Sequence, residues 1–198
     1  LINLAQPEKS DMIYDPFCGT GVVLMEAALM GYNTGGSDIS ERMVEASREN
    51  MHWLQNIAPV SNEPEITAQD ARSVTIPSKP GSRVCIVGEG YLGLPLGPEA
   101  TQKEARAQIE ELDRLYIDVL QNLSQQSCVR AIVLALPFWH IQGQEYQLNF
   151  LDSLDRIGYT FDQFAPHDTD RLTYRRVDQR VGRMIVRLVK KSEAKKES

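Results

Sequence analysis

The segment Asp15-Pro16-Phe17-Cys18-Gly19-Thr20-Gly21 sets a carboxylate and a thiol beside two glycines. Gly19 and Gly21 carry no Cβ, so a ligand can come close to the backbone at this turn. Residues 22–30 have helix-forming composition and stop at Gly31. The unpaired N–H groups at the start of such a helix can face a polar ligand. Asp38 lies 17 residues beyond Gly21. That is near the roughly 20-residue separation at which nucleotide-binding βαβ units place an acid against ribose hydroxyls. Asp70 closes a third segment, where a carboxylate can accept from an amino group. Only Gly19-Thr20-Gly21 is present, without the full G-x-G-x-x-G spacing, and this disfavours NAD as the ligand.

The elements that position these groups follow from the apolar pattern. Residues 12–14 read as a strand entering the glycine turn, and 32–39 as a second strand ending in Asp38. Ser40 is a suitable N-cap for a helix to about residue 55, with Glu41 in its first turn. Residues 65–71 form a third strand ending near Asp70, 59–64 a loop and 77–82 a turn. Residues 83–87 are apolar enough for a strand buried on both faces. A Gly/Pro-rich loop spans 88–98, and helical spacing of Ile109, Leu112, Leu115, Tyr116, Val119, Leu120 and Leu123 predicts a helix over 101–125. A fifth strand over 129–136 is expected to stop at Pro137, with a helix over 147–157 closed by Gly158. Residues 159–164 read as a strand, and 174–189 as a terminal hairpin. Strand and helix thus alternate five times before a β-rich end, which predicts an α/β fold with helices on both faces of a mostly parallel sheet. Its ligand crevice belongs at the carboxyl ends of the strands, where every candidate residue falls.

At 198 residues the chain suits one domain. No apolar run approaches the roughly 20 residues needed to span a bilayer. The three cysteines are widely separated and form no CxxC pair, so neither a zinc site nor a disulfide framework is expected. Reduced cysteines fit a cytoplasmic protein. The net charge of −6 argues against a chain-wide nucleic-acid footprint, but residues 171–198 hold ten Lys/Arg against three Asp/Glu. That basic end could contact phosphates. Residues 1–190 are read as the folded domain and 191–198 as a basic, disordered tail.

The strings DPFCGTG at 15–21, GSDIS at 36–40 and AQDAR at 68–72 together resemble S-adenosylmethionine (SAM) dependent methyltransferases that modify nucleic-acid amines. They are most similar to the tRNA guanine-N(2) methyltransferases that usually carry a THUMP domain. The resemblance covers nearly the whole chain. It implies a Rossmann-like class I methyltransferase with a mostly parallel seven-stranded sheet and a terminal antiparallel hairpin. It further implies SAM held by Asp15, Pro16, Phe17, Cys18, Gly19, Gly21, Asp38, Ile39, Asp70 and Ala71. Asp15 would hold the ligand ammonium or order the turn. Asn3-Leu4-Ala5 looks like the family segment that packs over the cofactor.

In that family the fourth strand ends in Asp/Asn/Ser-Pro-Pro-Tyr/Phe, which receives the target amine. Here the segment reads Val87-Gly88-Glu89-Gly90-Tyr91, with neither proline. Tyr91 matches the aromatic that stacks on the base. Glu89 is the preferred acceptor for the amine, with Gly90 in place of a proline and expected to be more flexible. Trp139 and His140 are candidates to line the base pocket. The resemblance implies tRNA as substrate, reached through a separate RNA-binding domain or partner, because the THUMP region is missing here; some relatives also use a small activating subunit. Two other readings remain. One is a non-catalytic SAM-binding or RNA-scaffold module, the other a methyltransferase acting on DNA, protein or a small molecule.

Overall fold

Strand alternation sorts the core into two faces. In β1 (Met12–Asp15), β4 (Val84–Glu89) and β5 (Val129–Ile141), the residues Tyr14, Val84, Ile86, Ile132 and Leu134 share one cluster. Their neighbours Ile13, Cys85, Val87, Ala131 and Val133 share another. Period-two geometry places the sets on opposite sides of the sheet. The first side is covered by α3 (Gln102–Ser124) through Ile109, Leu112, Tyr116, Val119, Leu120 and Leu123. The second is covered by Ala27 of α1 (Val22–Leu29) and by the short 3-10 turn Ile2–Ala5. α2 (Glu41–Ile57) packs Val44, Met51 and Leu54 against Leu24, Cys18 and Ile66. These contacts come from a computed structural model that describes residues 1–60, 63–97, 99–164 and 169–191. The basic tail expected over 191–198 lies, apart from Lys191, outside the described residues.

β3 (Glu65–Ala68), β2 (Asn33–Asp38), β1, β4 and β5 lie side by side in that order and are parallel. β9 (Val181–Lys190) and then β7 (Tyr159–Phe161) continue the sheet antiparallel. β6 (Gln144–Tyr146) attaches to the far end of β5 and β8 (Arg171–Tyr174) to β9. The expected main path of seven strands is therefore joined by two more. The chain runs outward from β1 to β3 and then returns to β4 on the other side of β1. That reversal opens a crevice at the carboxyl ends of β1 and β4.

Four sequence expectations need correction. β5 does not stop at Pro137 but continues to Ile141. Ala135 directs its carbonyl to the Gly90 N–H at 3.1 Å, on the β4 side. By alternation Pro137 turns its ring nitrogen the same way, beyond the last β4 pair at Glu89–Ala135, where no ladder bond is lost. Second, β5 and β6 form a hairpin whose turn residues, Gln142 and Gly143, both have positive φ. The helix expected over 147–157 is accordingly reduced to a 3-10 turn, Asn149–Ser153, and the single turn α4 (Leu154–Ile157). Third, the alternation of strand and helix is broken once, because no helix joins β3 to β4. Val74 and Ile76 of that connection are buried, and side chains of α3 and of the residues just after it satisfy its backbone. Asn122 Nδ2 donates to the Val74 carbonyl at 2.8 Å, and Gln126 Oε1 accepts from Ile76 N–H at 3.0 Å. Fourth, strands 65–71 and 159–164 are shorter than expected, at Glu65–Ala68 and Tyr159–Phe161.

Candidate active site

The glycine turn after β1 is built by Asp15. Its carboxyl is buried, and Oδ1 accepts the Phe17 N–H at 2.9 Å, which orders the turn. Burial raises its pKa to about 8, and the nearby Asp38 and Glu89 carboxylates push the same way. The folded chain thus keeps a proton that the unfolded chain releases near 3.8, so stability falls as pH rises between those two values. Above about 8 the group ionises in both states and the slope disappears. Asp15→Asn retains the Oδ1 acceptor and is expected to flatten this stretch of the stability–pH curve, as read by urea titrations across it. An unchanged slope would refute the assignment.

Gly21 opens α1 at φ 85°, and a Cβ there would stand 2.3 Å from Ser47 Oγ of α2. Its role is close packing of the two helices at the turn. Cys18 packs beside it among Leu24 and Val44, and burial pushes its thiol up to about 12. The thiol therefore stays protonated and acts as a packing group. Gly19, at φ 51°, has open space where a Cβ would be, apart from the Phe17 carbonyl at 4.0 Å.

Asp38, at the end of β2, ties the turn to α2. Its Oδ2 accepts the Gly19 N–H at 3.0 Å and its Oδ1 the Ser40 N–H at 2.9 Å. Ser40 is the N-cap, but its side chain makes no capping bond; Asp38 satisfies the backbone N–H of Ser40 itself, just ahead of the helix. Each oxygen keeps a further lone pair for a ligand. Asp70 is held by Arg72, whose backbone N–H and guanidinium both donate to it and hold its carboxyl below the usual range. Arg72 was not singled out from the sequence, although its position two residues after an Asx-turn acid is a local signal.

A cleft of about 710 Å³ gathers Pro16, Phe17, Asp38, Ile39, Asp70 and Ala71 with Glu89 and Tyr91. Asp15, Cys18 and Gly21 do not line it but are buried in the adjoining turn, and Gly19 is half-buried beside them with open space next to it. The far wall is one face of α3, including Glu110, Glu111, Arg114 and Asp118. Sequence reading used α3 only for its apolar stripe; the three- and four-residue spacing of these charged groups was the available sign. The Thr101–Glu104 capping box fixes where this helix starts.

The loop after β4 is packed rather than slack. A Cβ on Gly88 would lie 2.3 Å from Asp15 Oδ1, so the carboxyl fills the place of a side chain there. A Cβ on Gly90 would lie 2.2 Å from the hydroxyl of buried Tyr116. Burial pushes the Tyr116 pKa up, so its hydroxyl remains protonated and donates to the Tyr91 carbonyl at 2.8 Å. Two helical turns back along the same helix, Gln108 Nε2 donates to the Leu94 carbonyl at 3.0 Å. Tyr116 of α3 thus contacts the loop at the place where prolines are missing. Glu89 sits at the cleft edge, paired with Arg183 of β9 at 3.2 Å, and Tyr91 is 43% exposed.

Trp139 does not line the cleft. It is fully buried in the core, because β5 carries it past Pro137 into the sheet. His140 lies beside Glu145 of β6, away from the cleft. Of Asn3-Leu4-Ala5, Leu4 and Ala5 pack against the sheet with Ile13 and Val87, and none of the three lines the cleft.

An open α/β sheet with its cleft at the β1–β4 reversal, and acids after successive strands, defines a Rossmann-like nucleotide-cofactor domain. Residues 1–138 match UPF0020, the RMKL-like methyltransferase domain, and the chain belongs to that family. A stretch of 79 residues is 43% identical to the tRNA (guanine(10)-N2)-dimethyltransferase of Methanothermobacter thermautotrophicus, covering 40% of this chain and 22% of that protein. Another of 51 residues is 43% identical to the enzyme of the same name from Methanocaldococcus jannaschii, covering 26% of this chain and 14% of that one. The chain thus matches less than a third of the length of either relative. Among solved structures, NSun6 from Pyrococcus horikoshii superposes with a TM-score of 0.63 at 16% identity, covering 95% of this chain and 50% of that one. Magnesium protoporphyrin IX methyltransferase from Synechocystis PCC 6803 gives 0.58 at 18%, covering 96% and 78%. These likenesses show the fold. Among the described residues no helix is long and apolar enough to cross a membrane, and no cluster of His, Cys, Asp or Glu is placed to hold a metal.

Proposed function

We propose that residues 1–190 form a SAM-dependent methyltransferase domain that modifies the exocyclic amine of a guanosine in tRNA. The observation that carries this reading is the cleft itself. It brings Asp38, Ile39, Asp70 and Ala71 to the same opening as Glu89 and Tyr91. The residues fit the cofactor. Gly19 leaves its Cβ space empty, Asp38 has lone pairs for two ribose hydroxyls, and Ile39 and Ala71 offer apolar contact to a base. Asp15, Cys18 and Gly21 hold that surface from behind, and Asp70 anchors its edge through Arg72. Bound SAM supplies an electrophilic methyl group on a sulfonium.

The chain's part is positioning, which suits an in-line transfer. Tyr91 stacks on the target base. The Glu89 carboxylate accepts one hydrogen of the amine, which fixes the direction of the nitrogen lone pair. A flipped or unpaired nucleotide is the geometry such a cleft can receive. The relatives' printed activity on tRNA guanine supports this choice of substrate. The acidic cleft favours an RNA-binding domain or partner outside these residues, and a small activating subunit is compatible with it. Three free cysteines accord with a reducing, cytoplasmic setting.

Calorimetric titration with SAM and with S-adenosylhomocysteine tests the reading at its base, and micromolar binding of both is expected. Asp38→Ala should weaken SAM by about tenfold or more, as expected for loss of a charge-assisted hydrogen bond. Equal affinity for SAM in that variant would refute the ribose role.

A further inference from the structure

The mouth of the cleft continues into a second groove of about 480 Å³, lined by Leu92, Leu94, Leu96, Gln179, Arg180 and Arg183 among others. Leu92 lines both spaces, and the Glu89–Arg183 pair stands at their junction. The two differ in charge. The main cleft presents Asp38, Asp70, Glu89, Glu110, Glu111 and Asp118 against Arg72 and Arg114. The second groove presents Arg180 and Arg183 against Asp178. Its outer edge is the β8–β9 hairpin, whose turn is organised by Arg175. That guanidinium donates to the carbonyls of Arg176 at 3.3 Å, Val177 at 3.2 Å and Gln179 at 2.8 Å. Wrapped in this way, the turn presents the exposed Arg176. Tyr174, 59% exposed, is the cross-strand partner of Arg183 and so lies on the same face.

Basic side chains interleaved with exposed aromatics along a groove are what single-stranded nucleic acid requires: cations for phosphates, rings for bases. The acids on α3 repel a polyanion from the opposite wall, so charge alone sets which side the strand enters. We infer that the β8–β9 hairpin and the second groove bind the unpaired RNA nucleotides flanking the target base, with Arg176 on a phosphate and Tyr174 stacked on a base. This rests on the RNA methyltransferase reading for its substrate, but its test does not need methyl transfer.

Fluorescence anisotropy of the full chain with a single-stranded oligouridylate of about ten nucleotides reads the surface directly. The parent should bind at low salt, with affinity falling as salt rises. Arg176→Ala should weaken binding several-fold and reduce the slope of log affinity against log salt by about 0.7. Tyr174→Ala should weaken it about tenfold with the slope unchanged. Arg156→Ala, at an exposed position of α4, should do neither. No binding by the parent, parental binding in both hairpin variants, or an equal loss with Arg156→Ala overturns the inference. Calorimetry with SAM on the same samples separates the two readings. Failure there with the hairpin effects intact sinks the methyltransferase and leaves the RNA surface standing.

Discussion

Gly90→Pro should lower Tm by on the order of 10 °C and eliminate methyl transfer, even though it moves the loop sequence towards that of related enzymes. Two separate contacts forbid the change. The Gly90 N–H donates to the Ala135 carbonyl at 3.1 Å, and proline has no N–H to give. Ala135 is buried, so its carbonyl would be left without that donor. A Cβ at position 90 would also enter the space of the Tyr116 hydroxyl. An orphaned acceptor and an overpacked core each cost about 1–3 kcal/mol. Gly90→Ala separates them, because alanine keeps the N–H and suffers only the contact with Tyr116. Adding Tyr116→Phe to Gly90→Ala removes the closest clashing atom and should recover part of the lost stability, whereas Gly90→Pro with Tyr116→Phe still lacks its donor. Thermal melts of the four variants decide it. A proline variant as stable as the parent would show that Tyr116 does not hold the loop.

This loop also marks where sequence reading stopped. DPFCGTG, GSDIS and AQDAR were legible because each links a local turn to an acid at a strand end, and the cleft gathers residues from all three. Tyr116 was read as one more member of an apolar stripe. A stripe shows which face of a helix is buried but not that one hydroxyl on it reaches a carbonyl 25 residues earlier. At Gly90 a sequence shows a missing side chain but not the Tyr116 hydroxyl that occupies its place. Pro137 reads as a stop, yet its missing N–H matters only if a neighbouring strand needs it, and β4 has already ended there. Trp139 was placed in the wrong environment by the same error, since a strand that continues buries what a loop would expose. The acids of α3 were visible as residues, but their presence in the cleft depends on the helix packing across the sheet.

Glu89→Gln should reduce methyl transfer by about a hundredfold while leaving SAM affinity and Tm close to the parent values. Stability is little affected because the Glu89–Arg183 pair is partly exposed on both sides, and such pairs contribute no more than about 1 kcal/mol. The effect on rate has a different origin. In the proposed function the carboxylate is the acceptor that orients the amine, and Arg183 at 3.2 Å holds that carboxylate on the β9 side. Glutamine keeps the length and one acceptor oxygen but removes the charge and presents an NH2 group that an amine hydrogen cannot approach. Arg183 would also face a neutral partner and no longer fix it. Arg183→Ala therefore should give a smaller loss of rate, since the carboxylate remains but is free to turn. Single-turnover methyl transfer to tRNA, alongside calorimetry with SAM, distinguishes these effects from cofactor loss. If Glu89→Gln transfers at the parental rate, the amine is oriented by other groups, and the loop contributes through Tyr91 and its backbone alone.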